Sequence, residues 1–252
     1  MRERRQPKQS ATANPNATPV PKGYSARVYG FSKWLLRVWA RVWLRLRLEG
    51  MNNAPKTGAV LVVGNHTSYL DPPLLGCGMP RPVLYLAQKG LAKFPPLRWW
   101  LRNVGVGLID RDAPSKDVLR ALSNALADGA CVAMFPEGTR SSDGLVAPFR
   151  SGVEFLVRRT GAPVLPVGID GAFAAFPRGA RLPRPRRCTV RVGELWPAER
   201  VLAAGGVEAL RAEVARLAHA SLATIPAAKP QVDNGPGAIS VDSPSSSAGG
   251  RA

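Results

Sequence analysis

The sequence predicts an α/β fold: a single domain with a mixed, largely parallel sheet flanked by helices. Three observations lead there. Between residues 50 and 224 short apolar runs alternate with stretches of helical periodicity, the pattern of a layered α/β architecture. Hydrophobic residues make up 45% of the chain, with a mean hydropathy of -0.07, which suits a protein with a core to bury rather than a polytopic membrane protein or an unfolded chain. The two ends, 1–23 and 225–252, lack either periodicity, and the segment 50–224, about 175 residues, has the size of one ordinary domain.

In chain order, 1–23 is a basic tail rich in Pro, Asn, Thr and Arg, expected to be disordered. Residues 24–49 change to Trp, Leu and Val punctuated by cations. On a helical wheel Arg27, Lys33, Arg37, Arg41, Arg45 and Arg47 share an arc of roughly 160°. Phe31, Leu35, Val38, Trp39, Val42 and Trp43 lie on the opposite arc, while Trp34, Leu44 and Leu48 fall among the cations. An amphipathic helix over 24–49 is the expectation. Cations near a bilayer centre cost about 2.5 to 3.5 kcal/mol each, so this helix is expected to lie in the membrane interface, a depth that suits Trp and Arg.

From residue 50 to 224 the apolar runs at 59–64, 82–87, 106–109, 130–135, 163–169 and 188–192 read as strands, and 73–79, 97–103, 115–127, 151–160 and 207–223 read as helices. The helix at 73–79 follows Asp71-Pro72-Pro73, where the prolines suit a first turn and Asp71 suits the N-cap. The last segment, 225–252, is a Pro/Ser/Gly tail with no periodicity, again expected to be disordered.

A formal net charge of +18 calls for an anionic partner: nucleic acid, a membrane surface or a phosphorylated substrate. Three cysteines, Cys77, Cys131 and Cys188, are widely spaced with no CxxC pair, and the chain has only two histidines. A disulfide framework and a zinc site are therefore not expected. The first twenty-one residues contain no apolar stretch of the secretory kind, so a cytoplasmic, reducing compartment is expected.

Two motifs carry chemistry. In Asn65-His66-Thr67-Ser68-Tyr69-Leu70-Asp71 a histidine precedes an aspartate by five positions, just after the run at 59–64. Residues five apart on one straight helix point about 140° apart, but a tight turn before a helix starting at Pro72 can fold the carboxylate onto the imidazole. A histidine so held can take a proton from an alcohol near neutral pH; taken alone, so short a pattern reads rather as a helix cap and a loop histidine. Phe135-Pro136-Glu137-Gly138-Thr139-Arg140-Ser141 follows another apolar run. Its arginine and hydroxyls make an anion site, since guanidinium offers bidentate donors to phosphate. Asp110-Arg111, after the run at 106–109, adds a second cation.

With these residues in view, the chain resembles the glycerolipid acyltransferases, most closely the bacterial 1-acylglycerol-3-phosphate acyltransferases. Four ordered blocks carry the resemblance: 65–71, 105–111, 135–141 and Val164-Leu165-Pro166-Val167. It implies His66 as general base, Asp71 as its orienting partner, and Glu137, Gly138, Thr139, Arg140 and Arg111 as the acceptor-binding set. It implies transfer of an acyl group from an acyl-CoA or acyl-carrier protein co-substrate to a lysophospholipid, without further cofactor or metal, on the cytoplasmic face of the cell membrane as a peripheral or monotopic protein. Leu108 stands where the family often has Phe, and Phe149-Arg150-Ser151-Gly152 where it often has two lysines.

Two other readings compete. A nucleic-acid-binding protein would account for the charge, but no zinc-finger spacing or aromatic RNP-like motif accompanies it, and the cations interleave with Trp and Leu. A catalytically silent lipid-binding relative would not need both His66 and Asp71. The loop carrying Arg178, Arg181, Arg184, Arg186 and Arg187, broken by Pro183 and Pro185, reads as exposed and extended, open to lipid headgroups or to solvent alone.

Overall fold

A computed structural model describes residues 24–88, 94–109 and 115–224. A five-stranded sheet, in the order β1-β7-β6-β2-β5, is built from β1 (Arg47–Glu49), β2 (Val60–Gly64), β5 (Cys131–Met134), β6 (Val164–Asp170) and β7 (Thr189–Val192). All its pairings are parallel except β6 with β7. A second pair, β3 (Tyr85–Gln88) and β4 (Val106–Ile109), is parallel and extends the sheet through a bridge between Leu84 and Val132. The mixed, largely parallel sheet of the sequence reading is thus present, split where the chain at Leu84 makes only a single bridge.

Strand β2 shows why the layers form. All five of its residues are buried, as expected of a parallel strand covered on both faces. Because side chains alternate, Val60 and Val62 join a core with Ala40, Leu44, Leu74 and Val190. Leu61 and Val63 join another with Leu122, Leu156, Leu210 and Val214. Helices α1 (Ala26–Trp43) and α2 (Asp71–Gly78) therefore cover one face. The other carries α4 (Ser115–Ala127), α5 (Gly152–Thr160), α7 (Ala198–Leu202) and α8 (Gly206–Leu217). Two further α-helices, α3 (Pro95–Asn103) and the single turn α6 (Ala172–Ala175), and a 3-10 turn at Met51–Asn53 complete the helices of the described residues. Cys77, Cys131 and Cys188 are all buried free thiols, which burial pushes up to about 11, 11 and 12.

The expected helix over 24–49 stops at Trp43. Arg45 takes a left-handed backbone with φ of 46°, which ends the helix, and 47–49 instead form β1 beside β7. The wheel is also rotated from the expected one. Tyr29, Leu36, Trp39 and Ala40 turn toward the domain, whereas Phe31, Trp34, Leu35, Val38 and Val42 face outward with Arg27, Arg37 and Arg41. Lys33, expected on the exposed cationic arc, points inward and donates from Nζ to the Met79 carbonyl. Burial, followed by the repulsion of Arg37, holds its ammonium below the usual lysine value. No helix among the described residues is long and apolar enough to cross a membrane.

At the other end α8 stops at Leu217 rather than at 223, and His219 is left-handed with φ of 49°. Gly168 on β6 permits the approach of this end: a Cβ there would lie 2.2 Å from the backbone of Leu217 and Ala218. Beyond it the chain returns to bridge Leu222 to Val146. Arg211, buried in α8, locks that return. Its guanidinium donates to the carbonyls of Val146 at 2.8 Å, Ala147 at 3.1 Å and Ala223.

Candidate active site

The chemistry-bearing motifs lie at the carboxyl ends of β2 and β5, adjacent parallel strands with Val63 opposite Met134. Loops at this edge of an α/β sheet are free of packing duties and converge on one crevice. After Gly64, Asn65 stitches the outgoing loop to β6: its Nδ2 donates to the Ile169 carbonyl at 3.0 Å and its Oδ1 accepts the Ile169 amide at 2.8 Å. The next residue, His66, thereby starts from a fixed backbone.

The turn from His66 to Asp71 closes as the spacing suggested. Asp71 is fully buried, and its Oδ2 lies 2.9 Å from His66 Nδ1. The same oxygen accepts the amides of Thr67 at 2.6 Å and Ser68 at 2.7 Å. Asp71 is not the N-cap. Leu70 holds that position and Asp71 is the first residue of α2, with its carboxylate turned back onto the preceding loop rather than forward onto the helix. Burial pushes its carboxyl above the usual range, against the pull of His66 and the two amides. With Nδ1 donating to Asp71, the lone pair of the neutral ring is on Nε2. The imidazole stacks on Phe135, with centroids 4.5 Å apart and planes 18° apart, and about a fifth of the side chain is exposed.

The turn after β5 meets this loop directly. Glu137, expected among the groups that meet an acceptor, is buried, with Oε1 accepting the His66 amide at 2.7 Å and Oε2 accepting the Ala147 amide at 3.1 Å. Ser141 closes the junction by donating its amide to the His66 carbonyl at 2.7 Å. Its hydroxyl, expected in the anion site, instead donates to Asp143 at 2.8 Å. Gly138 has φ of 74°, a backbone that glycine adopts without strain. Gly138 and Thr139 are exposed on the turn. The Arg140 guanidinium lies 3.5 Å from the centroid of the Tyr69 ring, a cation–π contact. Its Nη1 is buried and has no hydrogen-bond partner among the described residues, a donor that a ligand could take up.

Three residues that the motif reading passed over belong here. Phe135 supplies the stacking surface for His66, and Tyr69 the platform for Arg140. The Arg150 guanidinium packs on the Gly138 turn, so close that a Cβ on Gly138 would stand 2.7 Å from it. Arg150 falls in the 149–152 segment, where the family pattern has lysines, and that signal was available. The ring contacts of Tyr69 and Phe135 are tertiary and left no spacing to read. Arg111 lies outside the described residues. Among the described residues no cluster of His, Cys, Asp and Glu is arranged to hold a metal ion.

An imidazole hydrogen-bonded to a buried carboxylate, beside a turn whose guanidinium has no partner at Nη1 among the described residues, is chemically able to act as a general base next to an anion. The acyltransferase family model matches residues 45–170, half of the 252 residues, and the chain belongs to that family. It is 30% identical over 158 residues to the chloroplast 1-acyl-sn-glycerol-3-phosphate acyltransferase of Brassica napus, covering 60% of this chain and 45% of that protein. It is 30% identical to the 1-acyl-sn-glycerol-3-phosphate acyltransferase of Pseudomonas aeruginosa, covering 67% of this chain and 65% of that one. The chain thus spans less than half of the chloroplast relative and about two thirds of the bacterial one. Among solved structures, the 1-acyl-sn-glycerophosphate acyltransferase of Thermotoga maritima matches with a TM-score of 0.59 and 27% identity, covering 75% of this chain and 77% of that chain.

Proposed function

We propose that the protein is a 1-acylglycerol-3-phosphate O-acyltransferase, making phosphatidic acid from lysophosphatidic acid and an acyl thioester of coenzyme A or acyl-carrier protein. The observation that carries this reading is the pairing, on one sheet edge, of His66 held at Nδ1 by Asp71 with the Nη1 of Arg140, which has no partner among the described residues. The base and the phosphate grip are supplied by two loops tied together through Glu137 and Ser141.

In this mechanism His66 Nε2 takes the proton of the acceptor hydroxyl as its oxygen attacks the thioester carbonyl. The tetrahedral oxyanion collapses by breaking the C–S bond, and the departing thiolate recovers the proton from the imidazolium. Asp71 fixes the tautomer and stabilises the imidazolium. Arg140, with Arg150 packed on the same turn and Arg111 as a further cation, holds the phosphate. Gly138 and Thr139 shape the turn against the acceptor, and Glu137 contributes by positioning, since its carboxylate spans the amides of His66 and Ala147. No cysteine takes part as a nucleophile, because all three thiols are buried and held protonated at neutral pH. The outward aromatic and aliphatic face of α1, with its arginines, rests on the cytoplasmic leaflet of the cell membrane as a monotopic contact.

Mass-spectrometric product analysis of the purified protein, with a lysolipid panel and both thioester types, tests the assignment. Phosphatidic acid is the expected product, and His66→Ala is expected to lose about 10²- to 10⁴-fold in rate while keeping the circular dichroism of the parent. Wild-type turnover by a folded His66→Ala protein would remove the mechanism.

A further inference from the structure

We infer that the arginine-rich loop at 177–187 is a second membrane contact, binding anionic phospholipid headgroups beside the mouth of the active site. The inference rests on the interfacial placement of α1 proposed above. Arg178, Arg181, Arg184, Arg186 and Arg187 occupy ten residues that contain no acidic side chain. At its crown Leu182 is 78% exposed between two of them. Prolines at 177, 183 and 185 keep the segment from forming a helix or pairing as a strand.

The loop is held in place at both ends. It leaves the active-site edge at Phe176, whose carbonyl accepts Ser68 Oγ at 2.8 Å and whose ring lies 6.1 Å from Tyr69, the platform of Arg140. In its middle, the Arg184 amide donates to the Ala175 carbonyl at 2.7 Å. Trp43, at the last turn of α1, donates from Nε1 to the Pro183 carbonyl at 3.1 Å. At its far end the Cys188 amide donates to the Leu44 carbonyl at 2.9 Å.

These bonds hold the loop that carries the exposed leucine and five exposed cations beside the end of α1, where Val42 is 75% exposed and Trp43 is also outward. Apolar tip and flanking guanidinium groups match the two zones of a lipid surface, acyl chains below phosphates. A soluble acidic protein, such as a carrier of the acyl donor, is the competing occupant of a basic loop. Continuity with the apolar face of α1 favours the bilayer, because a partner seated there would have to displace lipid from that face.

The test is flotation of the full chain with vesicles of phosphatidylcholine alone and of phosphatidylcholine mixed with phosphatidylglycerol. Replacing the five arginines by glutamine should weaken binding to the mixed vesicles about tenfold or more and leave binding to the neutral ones little changed. Leu182→Ser should weaken both. These side chains are exposed, so thermal melting should match the parent. Turnover of a short-chain, water-soluble acceptor should also be unchanged.

Parent-like flotation of the glutamine variant on mixed vesicles would overturn the inference. So would equal loss of turnover on the soluble acceptor, which would place the arginines in the substrate site, or loss of retention on an immobilised acyl-carrier protein with flotation intact. A Trp34→Asp, Val42→Asp variant distinguishes the underlying reading. If it floats normally while the loop variant does not, α1 is not the anchor and the loop alone is. If the reverse holds, α1 anchors the protein and the loop does not.

Discussion

Asp71 gives its Oδ2 to three donors and lies in a fully buried position, so its protonation state governs the orientation of His66. A carboxyl whose folded value is raised contributes stability that is fully present below its unfolded value, about 3.9, and lost as pH rises through the folded value. This group therefore does not drive acid unfolding. Acidification should protonate Asp71 at a pH above that of ordinary aspartates and remove the anionic acceptor at Nδ1. The expected result is loss of kcat/KM while far-ultraviolet circular dichroism is still native; coincident loss of both would contradict it.

Arg140 yields a second prediction at this scale. Its loss removes charge-assisted hydrogen bonds of about 1.5 to 3 kcal/mol, so Arg140→Ala should lower kcat/KM for lysophosphatidic acid by about ten- to a hundredfold. Lysine should rescue only in part, because an ammonium keeps the charge without the planar fork. A slow reaction with monoacylglycerol should hardly change, and equal loss on both acceptors would withdraw the phosphate assignment. The His66–Asp71 contact was legible because a local turn makes it. The buried carboxylate of Glu137 was not, since its partners lie 71 and 10 positions away and only packing brings them together.

Helix α1 was legible as amphipathic from its cation spacing, but not in its rotation or its end. Periodicity cannot see that Lys33 meets a carbonyl of the α2 exit or that Arg45 turns left-handed. The same blindness hid β1, three residues long at a sheet edge, too short for alternation to register. A practical consequence is that deleting 1–48 would also remove Ala40, Leu44 and Leu46 from the core. Substitution of the outward face is the cleaner probe: Phe31→Asp with Trp34→Asp should reduce flotation with anionic vesicles and leave the melting temperature near the parent value. A large drop in that temperature would show the face to be packed instead.

Across the whole molecule, alternation of apolar runs was sufficient to read the α/β layering, because each run had to be buried between helices. Strand order and the antiparallel pairing of β6 with β7 depend on long-range pairing and carried no local signature. The contacts around Arg211 are of the same long-range kind. That side chain fastens the returning segment at 221–223 to Val146 and Ala147, and the Ala147 amide in turn holds Glu137 against His66. Bonds linked in series in this way are expected to open together. In native-state hydrogen exchange the amides of His66, Ala147 and Ala223 should therefore share one opening free energy, and Arg211→Met should speed all three together. Protection kept at His66 and lost at Ala223 would mean that the His66 loop and the returning segment at 221–223 breathe independently.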